Sequence, residues 1–255
     1  PSLSPAPDSD DLTPEQLAGI IKEAGIVGMG GATFPTHVKI TSGLGKVDTV
    51  IVNASECEPY ITSDHRILLE EPEAVLGGVK LLARIFGVDR VHIAIEQNKS
   101  NAAGMLKLKI EEEKAPAVVD VLPTRYPQGA EKQLCQSITG RQVPPGALPA
   151  AIGCAVFNVV TTAAIYNAVY HGKPVTHRVV TVSGSGVNEP KNLLCPIGTP
   201  TGDLLDACGG VKQQTFKILM GGPMMGHAQF DMTAPIGKGT NAILAFADKE
   251  ERTVE

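Results

Sequence analysis

The first half of the chain alternates between two hydrophobic patterns. Short continuous runs of mainly β-branched and other apolar residues are typical of strands that are buried on both faces of a sheet. Such runs occupy residues 48–53, 90–95 and 117–122. Between them, apolar positions three and four residues apart predict helices over 73–86 and 100–113, the second capped by Ser100. Strand–helix repeats of this length predict parallel βαβ units and therefore an α/β fold.

Polar signals predict a further helix that begins near the start of the chain. Thr13 is the predicted N-cap, Pro14 occupies the first helical position, and Gln16 completes a capping box. A glycine-rich loop is predicted to follow from residue 28 to about residue 45. Residues 1–12, which are rich in Pro, Ser and Asp, are expected to form a linker.

After Tyr126 the pattern changes. Helices are predicted over 129–138 and 158–170, with a Pro/Gly-rich connection over 143–153 between them. We expect a domain boundary near residues 174–178. Beyond it, the predicted elements are short: strands within 178–184, 216–222 and 241–247, a turn at 187–192, and a helix at 201–208.

Composition excludes several classes of protein. The net charge of −5 and the 4% aromatic content argue against nucleic-acid binding. A hydrophobic content of 43% permits a packed core, and no apolar run approaches the roughly 20 residues that span a bilayer. The five cysteines are scattered and never form a C-x-x-C pair, which favours a reducing cytoplasm over a disulfide framework or a metal site.

The first candidate site is the segment Gly28–Thr36, GMGGATFPT. Closely spaced glycines allow backbone N–H groups to converge on an anion and allow a flat ligand to approach the main chain. The match to a dinucleotide fingerprint is poor, because the segment is predicted to follow a helix and precede a strand. A phosphate or flavin loop and a purely structural Ω-loop both remain open.

The second candidate is Asn53–Tyr60, NASECEPY, directly after the first predicted strand. Ligands of open α/β sheets bind at the carboxyl ends of strands, so these polar side chains are candidates for a binding site. A polar loop that forms an Asx turn is the alternative. The remaining candidates are Gly129–Glu131 and Asn158–Thr161, each at a predicted helix start. Each could bind an anion or could be an ordinary helix N-terminus, with Asn158 acting as a capping residue.

In this order the segments resemble one family, the C subunits of the Rnf ion-translocating ferredoxin:NAD oxidoreductases. More distantly they are similar to the NADH-binding flavoprotein subunit of respiratory complex I. The resemblance extends from residue 13 onward and rests on six segments: GIVGMGGATFPTHVKI (25–40), VNASECEPYITSDHR (52–66), RYPQGAEKQL (125–134), PIGTP (196–200), GGPMMG (221–226) and KGTNAILAF (238–246).

The resemblance implies an architecture. Residues 13–175 would form a Rossmann-like parallel-sheet domain that binds FMN and NADH, and 176–250 a small α+β β-grasp domain of the soluble-ligand-binding kind. Two cysteine-rich [4Fe–4S] motifs are expected in the full-length protein beyond the tail 251–255, so we expect this chain to be a middle fragment with no cluster and no other metal site.

The resemblance also implies site residues, and it assigns no catalytic acid or base. Non-covalent FMN would accept hydride from NADH. The residues assigned to the flavin and its phosphate are Gly28, Gly30, Gly31, Lys39, Asn53, Ser55, Glu56, Gly129, Asn158 and Thr161. Phe34 would stack on the nicotinamide nucleotide, and Glu58 and Glu131 would approach the NADH side. Ser55 and Ala130 depart from the complex I pattern, which has an aspartate and a glutamate there.

In the full complex, the resemblance implies electron transfer between NAD(H) and iron–sulfur carriers, coupled to ion translocation. The partners would be the other Rnf membrane subunits and ferredoxin-linked carriers, at the cytoplasmic face of the bacterial membrane, with this chain a soluble part of a peripheral subunit. Two alternatives stay open: a docking module with a vestigial flavin site, and an RnfC-like cobalamin reductase.

Overall fold

A computed structural model describes Leu3, Pro5 and residues 11–247 of the chain. Most of the predicted linker 1–12 and the whole predicted tail 251–255 lie outside these residues. The described chain forms two compact units. The first contains the residues up to Cys57 together with Asp64–Val175, and the second contains Glu58–Ser63 together with the residues from Thr176 onward.

The first unit is built on a parallel sheet of four strands. These strands are β1 Thr49–Ala54, β2 Val91–Glu96, β3 Ala117–Leu122 and β4 Cys154–Asn158. Their order across the sheet is β3-β2-β1-β4, so β1 pairs with both β2 and β4. Val50, Ile51 and Val52 are fully buried, as their apolar run predicts. The predicted α/β fold is confirmed, and three of its strands lie within one residue of their predicted bounds.

Seven helices of the described residues belong mainly to this unit. They are α1 Pro14–Glu23, α2 Thr36–Gly43, α3 Ser63–Glu70, α4 Pro72–Phe86, α5 Ser100–Glu113, α6 Glu131–Thr139 and α7 Val159–His171. The predicted capping box of α1 is present: Thr13 Oγ1 accepts from Gln16 N, and Gln16 Oε1 accepts from Thr13 N. Gly87 is the C-cap of helix α4, and its φ of 64° places it in the left-handed conformation that suits glycine.

Several predicted elements were wrong in detail. The glycine-rich loop does not run to residue 45, because α2 begins at Thr36. Helix α3 and strand β4 were not predicted: β4 is short and joins α7 without an intervening turn residue. The N-cap of α5 is Lys99 and not Ser100, and no side chain caps it. These differences arise where tertiary contacts, and not local capping signals, decide the backbone conformation.

The described residues of the second unit form a five-stranded mixed sheet and one short helix. These elements are β5 His177–Ser183, β6 Lys191–Pro196, α8 Thr201–Asp206, β7 Thr215–Met220, β8 His227–Ala228 and β9 Ala242–Ala247. The sheet order is β6-β5-β9-β7-β8, and only the β5–β9 pairing is parallel. Strand β6 begins at Lys191, inside the predicted turn 187–192. The core contains the fully buried Val180, Val182 and Ile243.

Residues 58–63 belong to this second unit although they follow β1 in the chain. Ile61 is buried with Leu219 and Leu244, and Thr62 N donates a hydrogen bond to Thr181 Oγ1. Sequence reasoning placed this segment in the flavin domain, because nothing in a linear pattern marks a loop that leaves one domain for another. No helix in the described part of the chain is long and apolar enough to cross a bilayer.

Candidate ligand site

The site lies where the strand order of the parallel sheet changes direction. From β1 the chain proceeds to β2 and β3 on one side, and it later returns to place β4 on the other side of β1. The connections at the carboxyl ends of β1 and β4 therefore diverge, and such switch points are where open α/β sheets bind ligands. Asn53 of β1 and Asn158 of β4 are direct neighbours in the register of these two strands.

A cavity of about 380 Å³ opens at this point, entirely within the first unit. This volume falls in the range of about 300–1,000 Å³ that small-molecule sites occupy. The lining residues are Gly28, Gly30, Ala32, Phe34, Thr36, Lys39, Ser42, Val47, Asn53, Gly129, Glu131, Leu148, Pro149, Ala150, Cys154, Ala155, Val156, Phe157, Asn158 and Thr161. Phe34 is 45% exposed, so its ring is accessible to a ligand.

The glycine-rich segment forms a closed loop at one side of the cavity. Gly28 N donates to Phe34 O at 2.8 Å, and Thr33 N donates to Gly28 O at 3.1 Å. The loop is attached to the start of α7 by Thr161, whose Oγ1 accepts from Met29 N at 2.9 Å and donates to Val27 O at 3.2 Å. Because α2 starts directly after this loop, the prediction that it precedes a strand was wrong.

Helix α2 brings Lys39 into the cavity. Its Nζ lies 2.5 Å from Glu131 Oε1 and 2.8 Å from Val156 O, and it stands 5.6 Å from the centre of the Phe157 ring. Glu131 occupies the first turn of α6, whose N-cap, Ala130, contributes no side-chain hydrogen bond. The N-terminal amides of α6 therefore lack the side-chain cap that would compete with an anion for them.

Asn53 and Gly129 form another part of the wall. Asn53 Nδ2 donates to Gly129 O at 2.8 Å, and Asn53 Oδ1 accepts from Ser55 N at 3.1 Å. A Cβ atom on Gly129 would lie 3.3 Å from Cys57 Sγ and 3.6 Å from the Asn53 amide atoms. The Asx turn that the sequence offered as the alternative to a binding residue is thus present, and Asn53 lines the cavity as well.

Asn158 caps α7 with its own side chain. Its Oδ1 accepts from Val160 N at 2.9 Å and Thr161 N at 3.4 Å, as the capping alternative predicted. Its Nδ2 donates to Asp64 Oδ2 at 2.6 Å. A Cβ on Gly30 would approach Asn158 Nδ2 to 3.2 Å, so a glycine at position 30 lets the loop lie close against this side chain.

A buried cluster of charged groups lies behind this wall. The Glu56 side chain is 3% exposed, and its Oε1 accepts from Asp64 N at 2.7 Å. Burial, followed by the negative charge of Asp64, raises the pKa of Glu56 to about 8. Lys99 Nζ lies 4.0 Å from Glu56 Oε2 and 3.9 Å from Glu96 Oε2.

Sequence reasoning missed Lys99, Glu96 and Asp64 as members of this region. Glu96 and Lys99 lie at the carboxyl end of β2 just as Asn53 and Ser55 lie at the carboxyl end of β1. The same argument about the carboxyl edge of the sheet, applied to the second strand, would have found Glu96 and Lys99. No local signal pointed to Asp64, which enters through the unpredicted helix α3.

The structure brings nine of the thirteen sequence-predicted residues together at the cavity. These are Gly28, Gly30, Phe34, Lys39, Asn53, Gly129, Glu131, Asn158 and Thr161. Gly31, Ser55 and Glu56 do not line it: Gly31 belongs to the loop, and Ser55 and Glu56 belong to the layer behind. Glu58 lies in the second unit, where its Oε2 accepts from Met224 N at 3.0 Å. The binding roles of all thirteen stay predictions.

Among the described residues, no group of three or more His, Cys, Asp or Glu side chains is arranged to hold a metal ion. The polar groups that face the cavity are amide, hydroxyl, ammonium and carboxylate groups, together with backbone atoms of the glycine loop. Such a set can hydrogen-bond a heterocycle and neutralise a phosphate.

A glycine loop, a parallel sheet and a cavity at its switch point define an α/β domain of the nucleotide-cofactor-binding class. The chain belongs to the family of the Nuo51 FMN-binding domain, whose family model matches residues 21–167. A second family model, the SLBB domain, matches residues 179–228. The two predicted kinds of domain, a flavin-binding domain followed by a soluble-ligand-binding domain, are thereby confirmed.

Curated relatives show the same affiliation. The chain is 48% identical over 241 residues to the C subunit of the proton-translocating ferredoxin:NAD(+) oxidoreductase complex of Clostridium ljungdahlii, covering 94% of this chain and 52% of the relative. It is 41% identical over 253 residues to the Na(+)-translocating counterpart of Acetobacterium woodii, covering 99% and 57%. The chain therefore spans about half the length of these relatives.

A similar fold occurs in a solved structure of an NAD+-reducing [NiFe]-hydrogenase in its H2-reduced state. The TM-score is 0.82 at 23% identity, and the match covers 97% of this chain and 50% of the hydrogenase chain. At this identity the likeness shows that the fold is shared.

Proposed function

We propose that the cavity binds FMN non-covalently and that the chain is part of the C subunit of an ion-translocating ferredoxin:NAD oxidoreductase. The observation that supports this most directly is the cavity itself, because a glycine loop, Lys39 and the start of α6 converge on the switch point of the sheet. Membership of the Nuo51 FMN-binding family and the names of the relatives support the same ligand and the same kind of complex.

The residues present fit a flavin mononucleotide. Gly28, Gly30 and Gly129 line the cavity with main-chain atoms, which a flat ring system can approach closely, and Lys39 supplies a positive charge for a phosphate. The start of α6 adds backbone N–H groups with a favourable helix dipole. The side-chain amide of Asn53 could hydrogen-bond polar atoms of the flavin ring or its ribityl chain.

Bound flavin supplies the hydride chemistry. The chain's own residues then need only bind the cofactors, orient them and exclude water. Phe34, exposed at the cavity, would hold the nicotinamide nucleotide by stacking. Glu131 would lie on the NADH side, whereas the contacts that the resemblance implies for Gly31, Ser55, Glu56 and Glu58 stay predictions, because these four residues do not line the cavity. Thr161 fixes the glycine loop to α7 and so determines the shape of the cavity.

The function proposed for the full-length protein includes electron transfer beyond the flavin. We propose that electrons pass between NAD(H) and iron–sulfur carriers, with two [4Fe–4S] clusters outside this chain, and that the complex couples this flow to ion movement. Its partners would be the other membrane subunits and ferredoxin-linked carriers at the cytoplasmic face of the membrane. The names of the relatives support ferredoxin:NAD(+) oxidoreduction coupled to ion translocation in a complex of several subunits. The clusters and the cytoplasmic face rest on the resemblance alone.

The test is a titration of the purified protein with FMN, followed by flavin fluorescence, and then anaerobic addition of NADH. We expect saturable quenching with one site per chain and bleaching of the bound-flavin absorbance by NADH. A Gly30→Leu variant, whose side chain would extend toward Asn158, serves as the blocked-site control. If wild-type protein neither binds FMN nor shows flavin bleaching with NADH, the docking-module alternative is favoured. If the reduced flavin is reoxidised only by cob(III)alamin, the cobalamin reductase is favoured.

A further inference from the structure

Lys99 is a buried lysine that the proposed function does not use. Its side chain is 7% exposed, and its Nζ donates to Ser55 O at 2.8 Å and to Glu56 O at 3.4 Å. The side-chain oxygens Oε2 of Glu56 and Glu96 lie 4.0 and 3.9 Å away. Burying an ammonium group is costly unless it is paired and hydrogen-bonded, so this environment indicates a specific role for the charge.

The carbonyl groups that Lys99 holds belong to the turn after β1. Glu56 has a φ of 48°, a left-handed conformation that is unfavourable for a residue with a side chain. Such a conformation persists only when its surroundings hold it in place. The ammonium group supplies that hold, because it binds the carbonyl oxygens of the two peptide units that flank the Cα atom of Glu56.

The same turn holds one wall of the cavity. Ser55 N donates to Asn53 Oδ1, and Asn53 Nδ2 donates to Gly129 O. On the other side of that glycine, Gly129 N donates to Cys57 Sγ at 3.4 Å. Gly129 is thus bonded through its C=O to Asn53, which precedes the turn held by Lys99, and through its N–H to Cys57, the last residue of that turn.

A second route leads from the cluster to the opposite wall. The Glu56 side-chain oxygens accept from Asp64 N at 2.7 Å and His65 N at 3.3 Å. Asp64 Oδ2 in turn accepts from Asn158 Nδ2, and Asn158 lines the cavity. The walls that end in Asn53 and Asn158 therefore both depend on the turn at Ser55–Cys57.

We propose that Lys99 is a positioning residue of the ligand cavity: its ammonium group fixes the turn at Ser55–Cys57 and through it the wall formed by Asn53 and Gly129. Only the identity of the ligand rests on the proposed function. The positioning itself is a property of the free protein, so the two can fail separately.

The experiment compares Lys99→Met with Lys109→Met. Methionine keeps most of the length of the side chain and removes the ammonium group. Lys109 lies on α5, the helix that starts directly after Lys99, and its Nζ pairs with the exposed Glu73 at 2.5 Å, outside the cavity. Two measurements are made on each protein: FMN affinity from fluorescence quenching, and amide hydrogen exchange resolved by peptide.

For Lys99→Met we expect FMN affinity to fall at least tenfold. We also expect exchange to accelerate at least tenfold in peptides that cover 53–58 and 128–131, with peptides of β5 and α1 unchanged. Lys99→Arg, which keeps a positive charge, should restore part of the affinity, and Lys109→Met should match wild type. If Lys99→Met does not fold, Lys99→Met with Glu96→Gln, which removes one charge of each sign, replaces it.

Two results would overturn the positioning role. One is FMN affinity within twofold of wild type in Lys99→Met. The other is an acceleration of exchange spread evenly over the chain, which would mean that Lys99 contributes only to global stability. If wild-type protein does not bind FMN, the proposed function fails, and the exchange pattern alone decides the role of Lys99.

Discussion

Lys39 Nζ and Glu131 Oε1 lie 2.5 Å apart inside the cavity, although 92 positions separate them in the chain. The lysine comes from α2 and the glutamate from the first turn of α6. Their side chains are 27% and 43% exposed, so water reaches the pair and its net contribution to stability is small. A ligand phosphate would compete with the Glu131 carboxylate for the same ammonium group.

Replacing Lys39 with Met should therefore weaken FMN binding about 10- to 100-fold, because hydrogen bonds to charged groups contribute about 1.5–3 kcal/mol. The free energy of unfolding of the protein without ligand should change by less than about 1 kcal/mol. Fluorescence titration measures the first quantity and urea unfolding the second. Lys80→Met is the matched control, since Lys80 pairs with Glu113 at 2.7 Å away from the cavity. Equal affinities for both variants would contradict a phosphate role for Lys39.

The raised pKa of Glu56 predicts that stability depends on pH. The folded-state pKa is about 8 against an ordinary value of 4.5, mainly because of burial. Between these values the folded protein retains a proton that the unfolded chain releases, so stability falls as pH rises from about 5 to 8. The slope attributable to this group approaches about 1.4 kcal/mol per pH unit. Urea unfolding at several pH values should show a flatter profile for Glu56→Gln, and identical profiles would refute the prediction.

The same group should influence the FMN midpoint potential in a pH-dependent way. Below pH 8 Glu56 is largely protonated, so Glu56→Gln should leave the potential of the proposed bound flavin nearly unchanged. Above pH 8 the carboxylate disfavours added negative charge, so the variant should have the higher midpoint. Anaerobic redox titration at pH 7 and pH 9 tests this, and a lower midpoint in the variant at pH 9 would count against it.

Two helix glycines should respond oppositely to replacement by alanine. A Cβ on Gly78 of α4 would overlap the carbonyl oxygen of Thr162 in α7, so Gly78→Ala should destabilise the protein by about 2–3 kcal/mol or more. A Cβ on Gly104 of α5 meets nothing within 4 Å, so Gly104→Ala should stabilise by about 0.5–1 kcal/mol. Thermal unfolding distinguishes them, and a shift in the same direction for both would contradict the close α4–α7 contact.

The sequence alone determined the elements whose signals are local. The capping box at Thr13 and Gln16 fixed the start of α1, because those two side chains bond the backbone within one turn. Continuous apolar runs determined β1, β2 and β3, since a strand buried on both faces needs no polar positions. The ordered glycine, Asn and Glu segments also sufficed to predict the family and nine residues of the cavity wall.

Tertiary structure decided what depends on contacts between distant segments. The placement of β4 beside β1 creates the switch point and the cavity. The sequence did not predict β4, because its five residues join α7 directly and no turn residue marks the boundary. Likewise, Glu58 lies in the second unit and Lys99 lies beneath the Ser55–Cys57 turn. A linear pattern shows which residues are polar, whereas the burial that gives Lys99 and Glu56 their chemistry arises only when strands and helices pack around them.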